Sequence, residues 1–497
     1  MKTGLYLTVL AVAVSGCSAG SPSAAPFLPA RSGPPAARAA GAGLASAAAT
    51  TQFKLVLENV PAATRSFSIF TAEGGNPDVF TLVDMNASTS KFCSASGGKI
   101  TCTVDAVGAN AGMNVIDVKA NSKIGAGGRL LFETETLAEA KSGATTALRV
   151  PNGIFVKDIE VAGSSQGSIT NGPAGDPHVW ALSQSSTSDY IVESTATGPA
   201  QYHQQPLPYH GTLNSYETIE AGPNSTLWFT DGGFEVPEFV GSITTVGKIH
   251  MYPATKQASC GQNVPISIAN GPDGNAWFLE FACGGGGVGR ITPQGVITDR
   301  YLGLDKGGGQ IWTLSTGQHQ IVGGKDGVYF VGQTCTLSGG YCNAPSHWTV
   351  GKMTTAGGLS YKQLDLKQLG TCAEGYLTAG GDGNVWMMSA CTPVGTPYVH
   401  NTLVRITPSW QTSYYHVGLG PINDVGAGPD GNIYFTDQGG VGRFVIKGAD
   451  FGQFDYYAHQ NCAWTNSVST GPDAFLYVSA SPQSSYCKSW IERVQVP

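Results

Sequence analysis

Short alternations of apolar and polar residues, broken by Gly, Asn, Pro and Ser, run from Phe53 to the end of the chain. In Phe53-Lys-Leu-Val-Leu, Ser66-Phe-Ser-Ile-Phe, Lys99-Ile-Thr-Cys-Thr-Val and Met113-Asn-Val-Ile-Asp-Val the period is two, which predicts half-buried strands. About a hundred residues of this pattern, 51–148, predict a small β-sandwich. Further on, an aromatic strand recurs at Trp180-Ala-Leu, Trp228-Phe-Thr-Asp, Trp277-Phe-Leu-Glu, Tyr329-Phe-Val-Gly, Trp386-Met-Met-Ser, Tyr434-Phe-Thr-Asp and Tyr477-Val-Ser-Ala. Copies at roughly 50-residue intervals fit four-stranded blades, so 149–497 is expected to be a seven-bladed β-propeller. Turns such as Gly271-Pro-Asp-Gly-Asn and Gly428-Pro-Asp-Gly-Asn precede the aromatic strand and suit a hairpin tip. The chain stops at Trp490-Ile-Glu-Arg-Val-Gln-Val-Pro497, one strand after the seventh hairpin. An open ring would expose a sheet edge, so residues 153–161 are expected to supply the last blade's outer strand.

The first fifty residues differ in kind. Lys2 and the apolar run Leu5 to Val14 are too short for a membrane anchor and read as a signal peptide over 1–16. Val14-Ser15-Gly16-Cys17 resembles the lipobox of bacterial lipoproteins, which implies that Cys17 is lipidated; the alternative is an ordinary cleavage with Cys17 incidental. Residues 17–50, almost all Ala, Pro, Ser and Gly after that cysteine, are expected to be a disordered tether. The implied location is the bacterial cell envelope, extracytoplasmic and lipid-anchored. Setting Cys17 aside leaves ten of the 11 cysteines, an even number suited to an oxidising compartment.

Composition narrows the class. Charged residues are only 12% of the 497 and glycines number 68, a balance that suits a turn-rich all-β chain. A net charge of -7 and a pI near 5.7 exclude a phosphate-tracking surface, hence no nucleic-acid partner. The strand pattern of 51–148 is loosely immunoglobulin-like, without a long-range Cys-Trp-Cys framework.

Ser267-Ile-Ala-Asn-Gly-Pro-Asp-Gly-Asn-Ala-Trp-Phe-Leu-Glu, followed by Val288-Gly-Arg-Ile-Thr-Pro-Gln-Gly-Val-Ile-Thr, closely resembles the repeat of the virginiamycin B lyase (streptogramin lyase) family. Partial copies stand at Val246-Gly-Lys-Ile, Val350-Gly-Lys-Met, Leu403-Val-Arg-Ile-Thr-Pro and Val441-Gly-Arg-Phe. The resemblance implies a propeller and, in an active member, magnesium-dependent elimination that opens a cyclic depsipeptide at its ester. Repeat residues build blades, however, and propellers host many functions.

Cysteines bracket the hairpins: Cys260 and Cys283, Cys372 and Cys391, and Cys462 and Cys487 each flank one copy, Cys335 and Cys342 share a loop, and Cys93 and Cys102 close a sandwich hairpin. Pairing of sequence neighbours is preferred over other connectivities. No Cys-x-x-Cys or His-Glu-x-x-His points to a metal.

Function is sought at the end of the propeller opposite the Gly-Pro-Asp-Gly tips. The family's Pro-His-x-Ile position falls here at Gly167, Glu217, Ile266, His319, Gly375, Asn423 and Asn466, so a single histidine remains and Gln318 replaces its proline. His319 is the candidate base or polar lining residue; Glu217, Asn423 and Asn466 are candidate ligand contacts. Asp231, Glu280 and Asp437 could join Glu217 around magnesium, or simply cap strands and bond to loop amides. No cofactor is required on this reading. Three further motifs are read as structural: a flexible connection at Cys283-Gly-Gly-Gly-Gly-Val-Gly-Arg, an exposed loop around Tyr202-His203 and Tyr209-His210, and His178, too close to Trp180 to be the motif histidine. The leading expectation is a monomeric module binding a small molecule, peptide or protein without catalysis. The alternative is a divergent magnesium-dependent carbon–oxygen lyase.

Overall fold

The computed structural model describes residues 51–496, except 73–78, 97–98, 128–129, 151–153, 162–164, 185–188, 196–199, 205–217, 232–238, 255–262, 283–284, 302–309, 314–318, 339–340, 366–370, 393–399, 420–421, 438, 459–462 and 483–487. The described residues form strands and turns with no helix. The signal segment, the tether and Cys17 lie outside them.

Two sheets over one core make up the N-terminal part. One orders the strands Cys93–Ser96, Lys99–Gly108, Gln52–Leu57 and Thr145–Val150; the other orders Val79–Asp84, Ser66–Ala72, Gly112–Asn121 and Leu130–Ala140. Alternation sends Phe53, Leu55 and Leu57 from one sheet and Phe67, Ile69, Ile116 and Val118 from the other into a shared interior. Cys93 and Cys102 face each other on adjacent strands and are bonded, as the hairpin reading expected.

Seven further sheets follow among the described residues, each meandering from an inner strand outward. Their inner strands are Ser165–Asn171, Ile219–Ala221, Asn263–Asn270, Ile321–Gly324, Thr371–Ala379, Ile422–Ala427 and Ala463–Thr470. We number the sheets 1 to 7 in this order. Each inner strand touches that of the next sheet, and the seventh touches the first, so the sheets close around a channel as in a β-propeller. Closure takes the expected route: Ile154–Val161 pairs antiparallel with Ser489–Gln495 as the outer strand of sheet 7.

The repeated motif builds these sheets. The tip aspartate accepts a bond from its aromatic: Asp273 from Trp277 Nε1 (3.0 Å), Asp382 from Trp386 Nε1 (3.1 Å), Asp430 from Tyr434 OH (3.2 Å) and Asp473 from Tyr477 OH (3.1 Å). A third-strand arginine completes each tie, with Arg443 to Asp430 at 3.0 Å and Arg493 to Asp473 at 2.7 Å. The motif glycine gives room for the aromatic of the second strand. A Cβ on Gly442 would lie 2.0 Å from Phe435, and one on Gly289 would lie 2.1 Å from Phe278. Where the ring is replaced by Met387 or Ala181, the facing residue is Val404 or Val192 instead of glycine. Val246-Gly-Lys-Ile departs from the sequence alignment. It sits at a turn with Val246 exposed, and the copy facing Phe229 is instead Val240-Gly241-Ser242-Ile243. The glycines after Cys283 also differ from expectation: Gly285–Ile291 is a strand, with Gly287 against Glu280.

One junction had no sequence signal. The sandwich strand Leu130–Ala140 pairs with the outer strand of sheet 6, Phe454–Ala458, through Thr134, Glu135 and Thr136, making one continuous eight-stranded sheet. Thr136 Oγ1 donates to Phe454 O at 2.6 Å. Two edges that would otherwise offer unpaired backbone groups thereby cover each other.

Candidate functional site

An inner strand has no neighbour on its channel side, so its amides there need other acceptors. Side chains of the preceding sheet supply them. Ile268 N donates to Thr218 Oγ1 (2.9 Å), Gln320 N to Ser267 Oγ (3.1 Å), Val468 N to Asp424 Oδ2 (3.0 Å) and Ile169 N to Ser467 Oγ (3.3 Å). Between sheets 4 and 5 a backbone group takes the role, Leu377 N donating to His319 O at 2.7 Å. Register shifts at Pro265/Ser267, Ile422/Asp424 and Thr465/Ser467 mark β-bulges that twist the strand just before these residues. Ile266, Asn423 and Asn466, read from sequence as the motif positions, are the bulged residues, and the girdle residue is the next one along.

Asp424 is the charged member of the girdle. It is fully buried, and its Oδ2 also accepts from Ser467 Oγ at 2.6 Å. The other oxygen, which a serine or threonine would lack, meets His319 Nδ1 at 2.6 Å. His319 has a φ of 48°, a left-handed conformation uncommon outside glycine, and it reaches from sheet 4 to sheet 6. Glu220 of sheet 2 takes a side-chain hydrogen bond from Thr170 of sheet 1 and lies within the field of both His319 and Asp424.

Burial pulls the His319 imidazole down, but the charge and hydrogen bond of Asp424, with the charge of Glu220, outweigh it and raise its pKa to about 9. Burial pushes the Glu220 carboxyl up to about 7, with His319 pulling down and Asp424 pushing up. This reverses the role expected for the histidine. His319 is held as an imidazolium at neutral pH, and Glu220 is the group that exchanges protons there.

Glu220 and His319 line a cavity of about 400 Å³ formed by all seven inner strands. Its wall runs to Asn270, Ala379, Ala427 and Thr470, the residues just before the tip glycines. The cavity therefore extends toward the hairpin tips, whereas sequence reasoning looked to the opposite end. Much of that opposite end lies outside the described residues.

The other sequence candidates stand apart from this cluster. Asn423 Nδ2 donates to Thr465 O (2.6 Å), and Asn466 Nδ2 donates to Ser481 Oγ. Asp437 Oδ1 accepts from Gly439 N (2.7 Å), Gly440 N (2.9 Å) and the Tyr456 hydroxyl, the loop-capping alternative. Asp231 and Glu280 are buried on the second strands of sheets 2 and 3. Glu217 lies outside the described residues. Among the described residues no three of His, Cys, Asp and Glu group to hold a metal ion. His203 belongs to the outer strand of sheet 1, stacked on Trp180 (5.6 Å) and 3.2 Å from Glu193, and His178 meets Asp176 at 2.5 Å. Tyr209 and His210 fall outside the described residues.

Cys372 and Cys391, paired in register, are disulfide-bonded as expected. Cys260, Cys283, Cys462 and Cys487, and the side chains of Cys335 and Cys342, lie outside the described residues.

Sequence reasoning found His319 and missed both its carboxylates. A usable signal was present, since Ser168, Thr218, Ser267 and Ser467 place a small hydroxyl one residue past the motif position in four copies. The other three copies carry Gln320, Tyr376 and Asp424 there.

No family model and no curated protein matches the chain. Solved structures do. A streptogramin B lyase structure aligns with a TM-score of 0.50 and 20% identity, covering 70% of this chain and 98% of that one. Virginiamycin B lyase from Staphylococcus aureus gives 0.48 and 18%, covering 69% and 99%, and a gluconolactonase from Xanthomonas campestris gives 0.37 and 11%, covering 68% and 88%. At this identity the likeness is one of fold, and the chain carries a β-propeller of the kind found in streptogramin B lyase.

Proposed function

We propose that the protein is a lipid-anchored, extracytoplasmic binding module of the bacterial envelope that does not catalyse depsipeptide ring opening. On this reading 1–16 is removed as a signal peptide, lipidated Cys17 and the tether to residue 50 attach it to the membrane, 51–148 is an immunoglobulin-like sandwich, and 149–497 is a seven-bladed propeller. It acts as a monomer, needs no cofactor, and takes a small ligand in the propeller channel. The remaining cysteines pair as Cys260 with Cys283, Cys335 with Cys342 and Cys462 with Cys487.

The observation that carries the binding reading is the His319–Asp424 bond. A lyase needs a base to remove a proton beside a carbonyl and a second group to stabilise the charge that develops. With Asp424 bonded at 2.6 Å and Glu220 nearby, the His319 pKa is raised to about 9, so at neutral pH it is mostly protonated and a poor base. Loss of a general base typically costs 10² to 10⁴-fold in rate. Incubation with a cyclic depsipeptide antibiotic and magnesium, followed by mass spectrometry, should leave the ring closed. Rapid linearisation, abolished by His319→Ala, would establish the lyase instead. Labelling with a fatty-acid analogue, lost in Cys17→Ala, tests the anchor.

A further inference from the structure

Above the Glu220 pKa of about 7 the charges described in the channel do not balance. Among the described residues, Glu220 and His319 are the charged members of its lining, and the Nδ1 of His319 is already engaged by Asp424, which also accepts from Ser467 and Val468. The cluster thus holds two carboxylates to one imidazolium. The hydrogen bond identified at Glu220 comes from the neutral Thr170 hydroxyl. An anion entering the cavity would meet a cation already covered by Asp424, and a neutral ligand would leave the imbalance in place.

Shape restricts the cation. The rest of the wall mixes small residues, Ala269, Gly323, Ala379, Gly426 and Ala427, with the polar Asn171, Asn270, Thr378, Ser469 and Thr470, whose hydroxyl donates to Ala427 O at 2.7 Å. The small residues leave room for a short chain behind a head group at Glu220. An ammonium group carries three donors and no acceptor, matching a carboxylate, a hydroxyl oxygen and the carbonyls of strand edges.

Resting on the binding reading above, we propose that the channel binds a slender organic cation whose primary ammonium head sits against Glu220. The cation requires the ionised carboxylate, so below the Glu220 pKa of about 7 binding must expel a proton and affinity falls. His319, Asp424 and Thr170 are the groups that act on Glu220, and none of them supplies a competing ammonium.

The test uses the full-length protein and three probes of similar size, n-butylammonium, 1-butanol and butyrate, followed by saturation-transfer NMR and titration from pH 6 to 8. We expect n-butylammonium to bind about tenfold tighter than 1-butanol, as one charge-assisted hydrogen bond implies, with affinity rising with pH. Glu220→Gln should remove the preference and the pH dependence, and Glu220→Asp, which keeps the charge, should retain both if the glutamine variant folds poorly. Equal binding of n-butylammonium and 1-butanol, or tighter binding of butyrate than of n-butylammonium, would overturn the cation assignment and leave channel binding standing. Absence of saturation transfer to all three probes would overturn the channel-binding reading as well.

Discussion

Replacing Glu220 with Gln should stabilise the protein at alkaline pH and have little effect at pH 4. The Glu220 carboxyl is raised from its ordinary 4.5 to about 7, chiefly by burial. A group with a raised folded pKa contributes stability that is fully present below its unfolded pKa and lost as pH rises through the folded value. Here the window runs from 4.5 to about 7, and a rise of that size corresponds to about 3 kcal/mol. Gln stays neutral throughout and keeps an oxygen for the Thr170 hydrogen bond. Part of the gain is offset because His319 loses a neighbouring charge that favours its protonated form, which leaves about 2 kcal/mol at pH 8. The assay is urea unfolding of wild type and variant at half-unit steps from pH 4 to 8.5. The difference between them is the readout, since Asp437 and Asp455 are also raised by burial and tilt both curves alike. If Glu220→Gln were less stable than wild type at pH 8, or if the difference were independent of pH, the ionised carboxylate would be a net stabilising partner of His319. The charge accounting of the channel would then be wrong.

Asp424→Asn should cost about 3 to 5 kcal/mol at neutral pH, because it removes the charge of a buried pair and leaves the His319 imidazolium unpaired, while the amide oxygen can still accept from Ser467 and Val468. NMR titration should show the His319 pKa falling from about 9, and the stability that wild type loses between pH 6.5 and about 9 should flatten in the variant. Gly442→Val should destabilise by about 1 to 3 kcal/mol through overlap with Phe435, and adding Phe435→Met should recover most of it by copying the Met387 and Val404 pair; a double-mutant cycle in urea measures the coupling. Replacing Cys372 and Cys391 with Ser opens a loop of sequence separation 19 and should cost about 3 kcal/mol, read as an unfolding midpoint lower than that of oxidised wild type.

The inner-strand edges explain why this site lies where it does. Closing a ring of sheets leaves their innermost amides facing the channel, and the girdle of Thr218, Ser267, Asp424 and Ser467 answers them one sheet at a time. A hydroxyl suffices for that task. Using a carboxylate at Asp424 leaves an oxygen free for a second partner, which is how His319 comes to be fixed two sheets away. The same substitution supplies a buried negative charge that Glu220 then feels.

Local periodicity and turn chemistry carried most of the fold. Alternation at Phe53, Ser66, Lys99 and Met113 marked strands that exist, the Pro-Asp-Gly tips and their aromatics marked the repeated hairpins, and the need to cover the open edge of the last sheet pointed to the closing strand Ile154–Val161. These features depend on near neighbours or on simple counting, so a linear reading reaches them. Tertiary structure alone decided the rest. A one-residue bulge moves the girdle position from Asn423 to Asp424, and the alternation of a strand turns such a shift into a change of face. Glu220, His319 and Asp424 are far apart in sequence and on three different sheets, and ring closure brings them within one electrostatic field. The joining of Leu130–Ala140 to Phe454–Ala458 likewise rests on two exposed edges meeting in space, for which backbone hydrogen bonds, common to every residue type, leave no mark in the side chains.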